Sequence, residues 1–352
     1  MNIVVLAGGF SPEREVSLST GGQVANALTR KGHKVLVVDS YKGIEKQGSF
    51  EELYLKYKKN DYSYDVPEIE PDLQDVKDKY GVGNILLGKN VLEVCRMADI
   101  VFMGLHGSIG ENGQLQAIFD VFDIKYTGNG YISSLLSMDK LVSKALMVAN
   151  NILTPQWEEF DISKMSNSEL IEKMNKTKLP VVVKPYNGGS SLGATLVKTN
   201  SDIAKAIEYV KKYEDKILVE QYISGREFTV GIIDGKSLPV IEICTKDGFF
   251  DYTNKYQPGL SNEICPAQIS KELEKELRDI AIKVNTVLRL DSYSRIDFMV
   301  DEFNKIYCLE ANALPGMTPN SLIPQEARED GMSYDDLCEK IVNIALDKKN
   351  IG

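Results

Sequence analysis

Arg295-Ile-Asp297-Phe-Met-Val-Asp301-Glu-Phe-Asn304-Lys-Ile-Tyr-Cys-Leu-Glu310-Ala-Asn312 is the stretch whose pairing decides the architecture. Two alternating runs flank Phe303-Asn304. A two-residue turn there makes an antiparallel hairpin with Asp297 opposite Glu310 and Arg295 opposite Asn312. These four polar residues then share one face, and Ile296, Phe298, Val300, Tyr307, Leu309 and Ala311 are expected on the other. Carboxylates directly opposed at ~5 Å repel, so the pairing calls for a cation between them. Two carboxylates and an amide oxygen form a hard, oxygen-only donor set suited to Mg2+ on nucleotide phosphates. A solvated polar face explains the same residues without any ligand.

Upstream lies Leu179-Pro-Val-Val-Val-Lys184-Pro-Tyr-Asn-Gly188-Gly189-Ser190-Ser191-Leu-Gly193-Ala-Thr-Leu-Val-Lys198. Free backbone N–H groups in a Gly/Ser-rich loop can approach phosphate oxygens, and Lys184 stands just ahead of it. The loop is not a Walker A motif, because a strand, Ala194–Val197, follows instead of a helix. It is expected to tip a β-hairpin and cover a nucleotide as a flap, although an ordinary hairpin turn accounts for the same residues.

Composition narrows the classes. The chain has 352 residues, 43% hydrophobic and 26% charged, with a formal net charge of −10. That excludes disorder as the dominant state and argues against nucleic acid or an anionic membrane as partner. With only two histidines, His33 and His106, a histidine-rich zinc cage is ruled out and any divalent metal falls to oxygen ligands. The five cysteines lack any C-x-x-C spacing and read as free thiols in a reducing compartment. Met1–Ala7 has no basic flank and breaks at Gly8-Gly9, so it reads as a first strand; no apolar run approaches membrane-spanning length, and a cytoplasmic protein is expected.

Along the chain, residues 1–130 alternate strand and helix patterns as an open α/β sheet does, with a weakly patterned probable insertion at 41–80. Residues 131–221 form a second unit, in which Ser166-x-x-Glu169 is a capping box, Ser201 caps a helix and Lys216–Gln221 is a strand. Residues 222–352 read as α+β with an antiparallel sheet, including a hairpin turning at Asp234-Gly235 and a helix capped by Ser270. The segment from Gly248 to Pro266 reads as a long mobile loop.

A lysine-bearing Gly/Ser flap followed by a carboxylate hairpin resembles the ATP-grasp fold. The likeness sharpens with Gly8-Gly9-Phe-Ser-Pro-Glu13-Arg14-Glu15-Val16-Ser17, Leu105-His106-Gly107, Gly110-Glu111-Asn-Gly-Gln, Met138-Asp139-Lys140, Gly189-Ser190-Ser191-Leu-Gly193, Glu227-Phe-Thr-Val, Lys255-Tyr256, Arg295-Ile-Asp297 and Glu310-Ala-Asn312-x-x-Pro315-Gly316-Met317-Thr318. In this order, over nearly the whole chain, the series resembles that of the D-alanine–D-alanine ligases. The resemblance implies an N-terminal Rossmann-like pre-ATP-grasp domain, a central lid domain and a C-terminal catalytic domain. It also implies ATP-dependent joining of two D-alanines through a D-alanyl phosphate for peptidoglycan synthesis, in a homodimer.

The same resemblance implies roles. Lys140 and Lys184 would bind the α- and β-phosphates and Lys255 the γ-phosphate, with Ser190 and Ser191 also on the nucleotide, adenine against Glu220-Gln221-Tyr222-Ile223 and ribose on Glu227. Asp297, Glu310 and Asn312 would hold two Mg2+ ions, with Mn2+ as a substitute, and Arg295 would stabilise the acyl phosphate and the tetrahedral intermediate. Glu13 would pair with the first D-alanine's ammonium near His106, and join Ser190 and Tyr256 in one hydrogen-bonded group. Ser321 and Leu322 would receive the second D-alanine, with an oxyanion-binding N–H at Gly316. Taken without the neighbouring motifs, Glu13 reads as a helix N-terminal charge and His106 as a structural residue. Lys255-Tyr256 is the pair of dipeptide-forming members, whereas D-lactate-forming relatives depart from it; D-Ala–D-Ser specificity stays open. Ser108-Ile109 departs from the family pattern beside His106. A dinucleotide-binding module is disfavoured because Ala7–Pro12 lacks G-x-G-x-x-G, and a non-catalytic nucleotide-binding regulator is the remaining alternative.

Overall fold

The structure is a computed structural model that describes residues 1–45, 48–67, 71–188, 193–245 and 261–348. Three sheets organise it. Strands β1 (Asn2–Ala7), β2 (Lys34–Asp39) and β3 (Ile100–Met103) form a parallel sheet of order β2-β1-β3. All of β1 except its first residue is buried, as an apolar strand covered on both faces should be. The Arg14–Arg30 helix packs on this sheet, and Gly32, at φ +85°, follows it. The last two helices, Leu322–Glu329 and Tyr334–Asp347, reach back to the same core through Ile323, Ala327, Leu337 and Ile341.

Strands β4 (Trp157–Asp161), β5 (Val181–Pro185), β6 (Thr195–Val197) and β7 (Lys216–Gln221) make an antiparallel sheet of order β4-β7-β5-β6. Strands β5 and β6 are the two arms of the expected flap hairpin. Ser166 and Glu169 form the anticipated capping box, but the helix at Ile203–Val210 is entered differently. A 3-10 turn, Asn200–Asp202, precedes it, and Thr199 with Asp202 makes the reciprocal cap expected of Ser201. Thr199 wins because its hydroxyl meets an acidic partner three residues on.

The third sheet holds β8 (Gly225–Ile233), β9 (Lys236–Ser237), β10 (Ile241–Thr245), β11 (Ser261–Ile264), β12 (Tyr293–Asp301) and β13 (Ile306–Asn312), all antiparallel. Asp234 and Gly235 take left-handed φ values of 52° and 71°, as the expected two-residue turn requires. The Lys271–Val287 helix, capped by Ser270, buries Leu277, Ala281 and Val284 against this sheet. Ser261–Ile264 is a strand paired with β10, which corrects the reading of that end of the 248–266 segment as loop; residues 246–260 lie outside the described residues.

The decisive hairpin keeps its far register and loses its near one. Arg295 opposes Asn312 and Asp297 opposes Glu310, but past a bulge Phe298 opposes Cys308 and Val300 opposes Ile306. The turn is Glu302–Asn304, one residue longer than expected, with Asn304 at φ 60° and the Asp301 carboxylate accepting from Phe303 and Lys305 N–H at 2.9 Å each. An extra loop residue and an extra bulge residue cancel at the carboxylates. Between them the phase inverts: Ile306 and Cys308, not Tyr307 and Leu309, enter the core.

The 41–80 stretch divides in two. Its helix Phe50–Tyr57 sends Phe50 and Leu53 into the core of the parallel sheet, and Tyr62 joins them, whereas the Leu73–Tyr80 helix buries nothing. Residues 61–63 strap the Arg14–Arg30 helix: Asn26 donates to Asp61 at 2.7 Å and accepts from the Tyr62 N–H at 2.9 Å. Gly22 faces this strap so closely that a Cβ would sit 2.1 Å from the Tyr62 carbonyl oxygen. Alanine ordinarily stabilises a helix over glycine, but here Gly22→Ala should lower stability by about 1–3 kcal/mol through that clash. Thermal unfolding checks it, and an unchanged or raised midpoint contradicts the seating of the strap.

Candidate active site

The loop after β1 carries the first group of side chains. Arg14 donates to the Gly9 carbonyl at 2.7 Å and forms a two-pronged ion pair with Asp39 at the end of β2. Asp39 also accepts from the backbone N–H of Tyr41 and Lys42, both at 3.0 Å. This knot ties the Gly8-Gly9 turn to the sheet and sets the start of the helix, so Glu13 is held with 7% exposure. Its carboxylate packs against Gly107, where a Cβ would meet Oε2 at 2.8 Å. Beside it, His106 Nε2 lies 3.0 Å from Thr20 Oγ1, and Nδ1 lies 3.6 Å from Glu111.

Across the cleft stands the β12–β13 pair. Arg295 grips Asp297 with both prongs, Nε to Oδ1 at 2.9 Å and a terminal nitrogen to Oδ2 at 2.8 Å. Asp297 accepts further bonds from Thr229 Oγ1 at 2.6 Å and Asn312 Nδ2 at 3.1 Å. Burial would lower the Arg295 pKa, but Asp297 overrides it and the guanidinium is held above its ordinary value. Lys140 Nζ lies 3.8 Å from Glu310 and donates to the Gly188 carbonyl at 2.5 Å. The cation that opposed carboxylates require is therefore supplied by the chain itself.

One cleft of about 490 Å³ brings these groups together. Glu13 and His106 line one side, Arg295, Glu310 and Asn312 another, and Gly316, Ser321 and Leu322 a third. Lys140 lines a smaller recess that shares Glu111, Glu310 and Asn312 with it. Ser321 is the N-cap residue of the Leu322–Glu329 helix, and its hydroxyl accepts from the Thr318 N–H at 3.1 Å. Ser190, Ser191, Lys255 and Tyr256 lie outside the described residues. Among the described residues no group of three His, Cys, Asp or Glu is arranged for a metal; the donor set at Asp297, Glu310 and Asn312 includes an amide.

Lys184, Glu220, Gln221, Ile223 and Glu227 lie outside both recesses. Gln221 is exposed at the end of β7, Ile223 is buried just beyond it, and Glu227 in β8 opposes Met299. The Glu220 carboxylate is ion-paired on both oxygens: Lys184 Nζ sits 2.7 Å from Oε2 and Lys144 Nζ 3.0 Å from Oε1. Lys144, absent from the sequence reading, is 1% exposed, donates to Thr154 at 2.6 Å and lies over the Trp157 ring. Burial pulls its pKa down, while burial of Glu220 is outweighed by the two lysines, which hold that carboxyl below its ordinary value. No local sequence signal points to Lys144, because its partner Glu220 is far along the chain. Val66, three residues past the strap, also lines the large cleft, and the Tyr64 hydroxyl bonds Glu15.

Lys144→Met leaves Glu220 with one counter-ion and should cost about 1.5–3 kcal/mol, the worth of a buried bond to a charged group. The Glu220 pKa is depressed, so its stabilisation is present above the ordinary value of 4.5 and lost as pH falls through the folded value. Urea midpoints followed from neutral pH downward should show this acid loss in the native chain and a shallower one in Glu220→Gln. Equal slopes contradict the pairing.

Family models described as "D-ala D-ala ligase N-terminus" and "D-ala D-ala ligase C-terminus" match residues 2–129 and 146–343. The D-alanine–D-alanine ligase of Pediococcus pentosaceus is 40% identical over 348 residues, 97% of each chain. That of Lacticaseibacillus casei is 37% identical, over 98% of this chain and 96% of its own. Among solved structures, the D-alanine–D-alanine ligase from Bacillus anthracis complexed with ATP superposes with a TM-score of 0.74 at 26% identity, covering 98% of this chain and 97% of that one.

Proposed function

The chain belongs to the D-alanine–D-alanine ligase family, and from that premise we propose that it uses ATP to join two D-alanines into D-alanyl-D-alanine, releasing ADP and phosphate. The observation that supports this most is the convergence on one cleft of Glu13 and His106, of Arg295, Glu310 and Asn312, and of the Ser321 turn, with Asp297 bonded to Arg295 and Asn312 just behind the wall.

The first D-alanine carboxylate attacks the γ-phosphorus, the bond from that phosphorus to the bridging oxygen breaks, and ADP leaves as the acyl phosphate forms. The amine of the second attacks that carbonyl carbon, and phosphate leaves. Glu13 is placed to hold the first ammonium and Ser321 the second carboxylate. Arg295 is a fixed cation at the wall where negative charge collects, in the acyl phosphate and then in the tetrahedral intermediate. Lys140 and Lys184 are assigned to the α- and β-phosphates; each rests on a carboxylate here, Glu310 and Glu220, and turns from it toward the nucleotide. Ser190, Ser191, Lys255 and Tyr256 are assigned the phosphate-covering and site-closing roles by family likeness, with the base near Glu220, Gln221 and Ile223 and the ribose on Glu227. Asp297, Glu310 and Asn312 fit a magnesium site, because two facing carboxylates and an amide oxygen are hard oxygen ligands gathered at one place on the sheet. Bound there, Mg2+ supplies neutralisation of phosphate charge during transfer.

Wider roles follow from the same reading. Peptidoglycan precursor synthesis is the place of the product, and a cytoplasmic site agrees with the five free cysteines. Among the described residues no helix is long and apolar enough to cross a membrane. A homodimer is supported by exposed apolar side chains on two adjoining helices, Ile118 and Val121 on Gln114–Val121 and Leu135 on Tyr131–Met138. Residues 1–130, 131–221 and 222–352 serve as substrate, lid and catalytic units.

With Mg·ATP, phosphate release should depend on D-alanine, and a mixture of D-alanine, D-serine and D-lactate should give mainly D-alanyl-D-alanine. Release with another acid but none with D-alanine sinks the proposal. Arg295→Ala should lower kcat by roughly 10²–10³ with nucleotide binding retained; undiminished turnover would remove Arg295 from the chemistry.

A further inference from the structure

Glu326 takes no part in the chemistry above, yet it is fully buried, in the helix that begins at Leu322. Its Oε1 accepts from the Gly231 backbone N–H at 2.8 Å, and among the described residues no donor reaches Oε2. The sheet explains why that N–H needs a side chain. On one edge β8 pairs with β12; on the other, β9 ends at Ser237, Leu238 N–H reaches the Gly231 carbonyl at 2.8 Å, and β10 resumes only at Ile241 opposite Thr229. The break at Leu238-Pro239-Val240 leaves the Gly231 N–H without a strand carbonyl, and an unpaired buried N–H is costly. Glu326 supplies the acceptor.

Its position links two walls of the cleft. Four residues beyond Leu322, it lies on the same helix face, and Leu322 itself packs on Ile241 and Ile243 of β10. Gly231 stands directly opposite Arg295. The helix that presents Ser321 and Leu322 is thus joined to the strand beside Arg295 by one hydrogen bond. Position 231 is shaped for it, since a Cβ there would lie 2.2 Å from Glu326 Oε2 and 3.0 Å from Leu238 Cδ1. Burial pushes the Glu326 pKa well above that of an ordinary carboxyl, with Arg295 pulling the other way. An apolar residue would pack there at smaller desolvation cost, which makes the acid worth explaining.

We propose that Glu326 is a positioning residue for the acceptor half of the site, setting through Gly231 how far the Ser321–Leu322 turn stands from Arg295 and hence how the second amino acid is held for attack. This rests on the reading that Ser321 receives the second D-alanine. Glu326→Leu removes the acceptor, Glu326→Gln keeps one, and Gly231→Ala pushes the carboxyl away from the strand side. In steady-state kinetics resolving the two D-alanine sites, Glu326→Leu should raise the second-site KM roughly five- to tenfold, with the first-site KM and nucleotide affinity within about twofold. Glu326→Gln should return the second-site KM toward the native value, and Gly231→Ala should follow the leucine variant and carries the test if that variant does not fold. A native second-site KM in both Glu326→Leu and Gly231→Ala overturns the proposal, as does an equal loss in every constant that tracks only the folded fraction. If the native chain releases phosphate with a different acceptor, the substrate assignment fails separately, and the same split measured on that acceptor tests Glu326.

Discussion

Two carboxylates placed face to face on neighbouring strands are unstable alone, and much of the structure answers that one repulsion. Asp297 and Glu310 are opposed on β12 and β13. The chain satisfies them with its own cations, Arg295 at 2.8 Å and Lys140 at 3.8 Å. These are the groups that ligand chemistry at the cleft would claim. On the proposed reading, an incoming anion and its counter-ion would exchange partners with ion pairs already present, so that no bare charge is created in a partly buried cleft.

The same economy appears at Glu220, where two lysines share one buried carboxylate. In the proposed reading, a Lys184 turned toward a phosphate would leave Glu220 still paired with Lys144. Lys144 is held by Thr154 and shielded from water, so it has no comparable route to a ligand. The net charge of −10 is compatible with this arrangement because the cations are grouped and their carboxylate partners are stored with them.

What the sequence made legible follows the range of the interactions. Period-two alternation and a hairpin signal place Arg295, Asp297, Glu310 and Asn312 on one face, since neighbours along a strand decide that. The longer turn at Glu302–Asn304 and the compensating bulge were hidden, because they cancel where the charges are and show only in which of Tyr307 and Cys308 is inside. Thr199 and Ser201 offer almost the same cap, and only the acid three residues on separates them. Lys144 with Glu220, and Glu326 with Gly231, join residues far apart in the chain, so no local pattern announces either. The motif series located the cleft; the charge pairs behind it required the fold.

The strap at residues 61–63 divides its stretch into a part that the cleft depends on and a part that it does not. Phe50, Leu53 and Tyr62 share the core of the parallel sheet, while the Leu73–Tyr80 helix contributes nothing to it. Lengthening, trimming or replacing the later portion changes surface alone, so sequence drift can run freely there while the strap keeps pace with the helix that carries Glu13. Among relatives, the constrained half of this apparent insertion should extend at least to Val66, which lines the cleft.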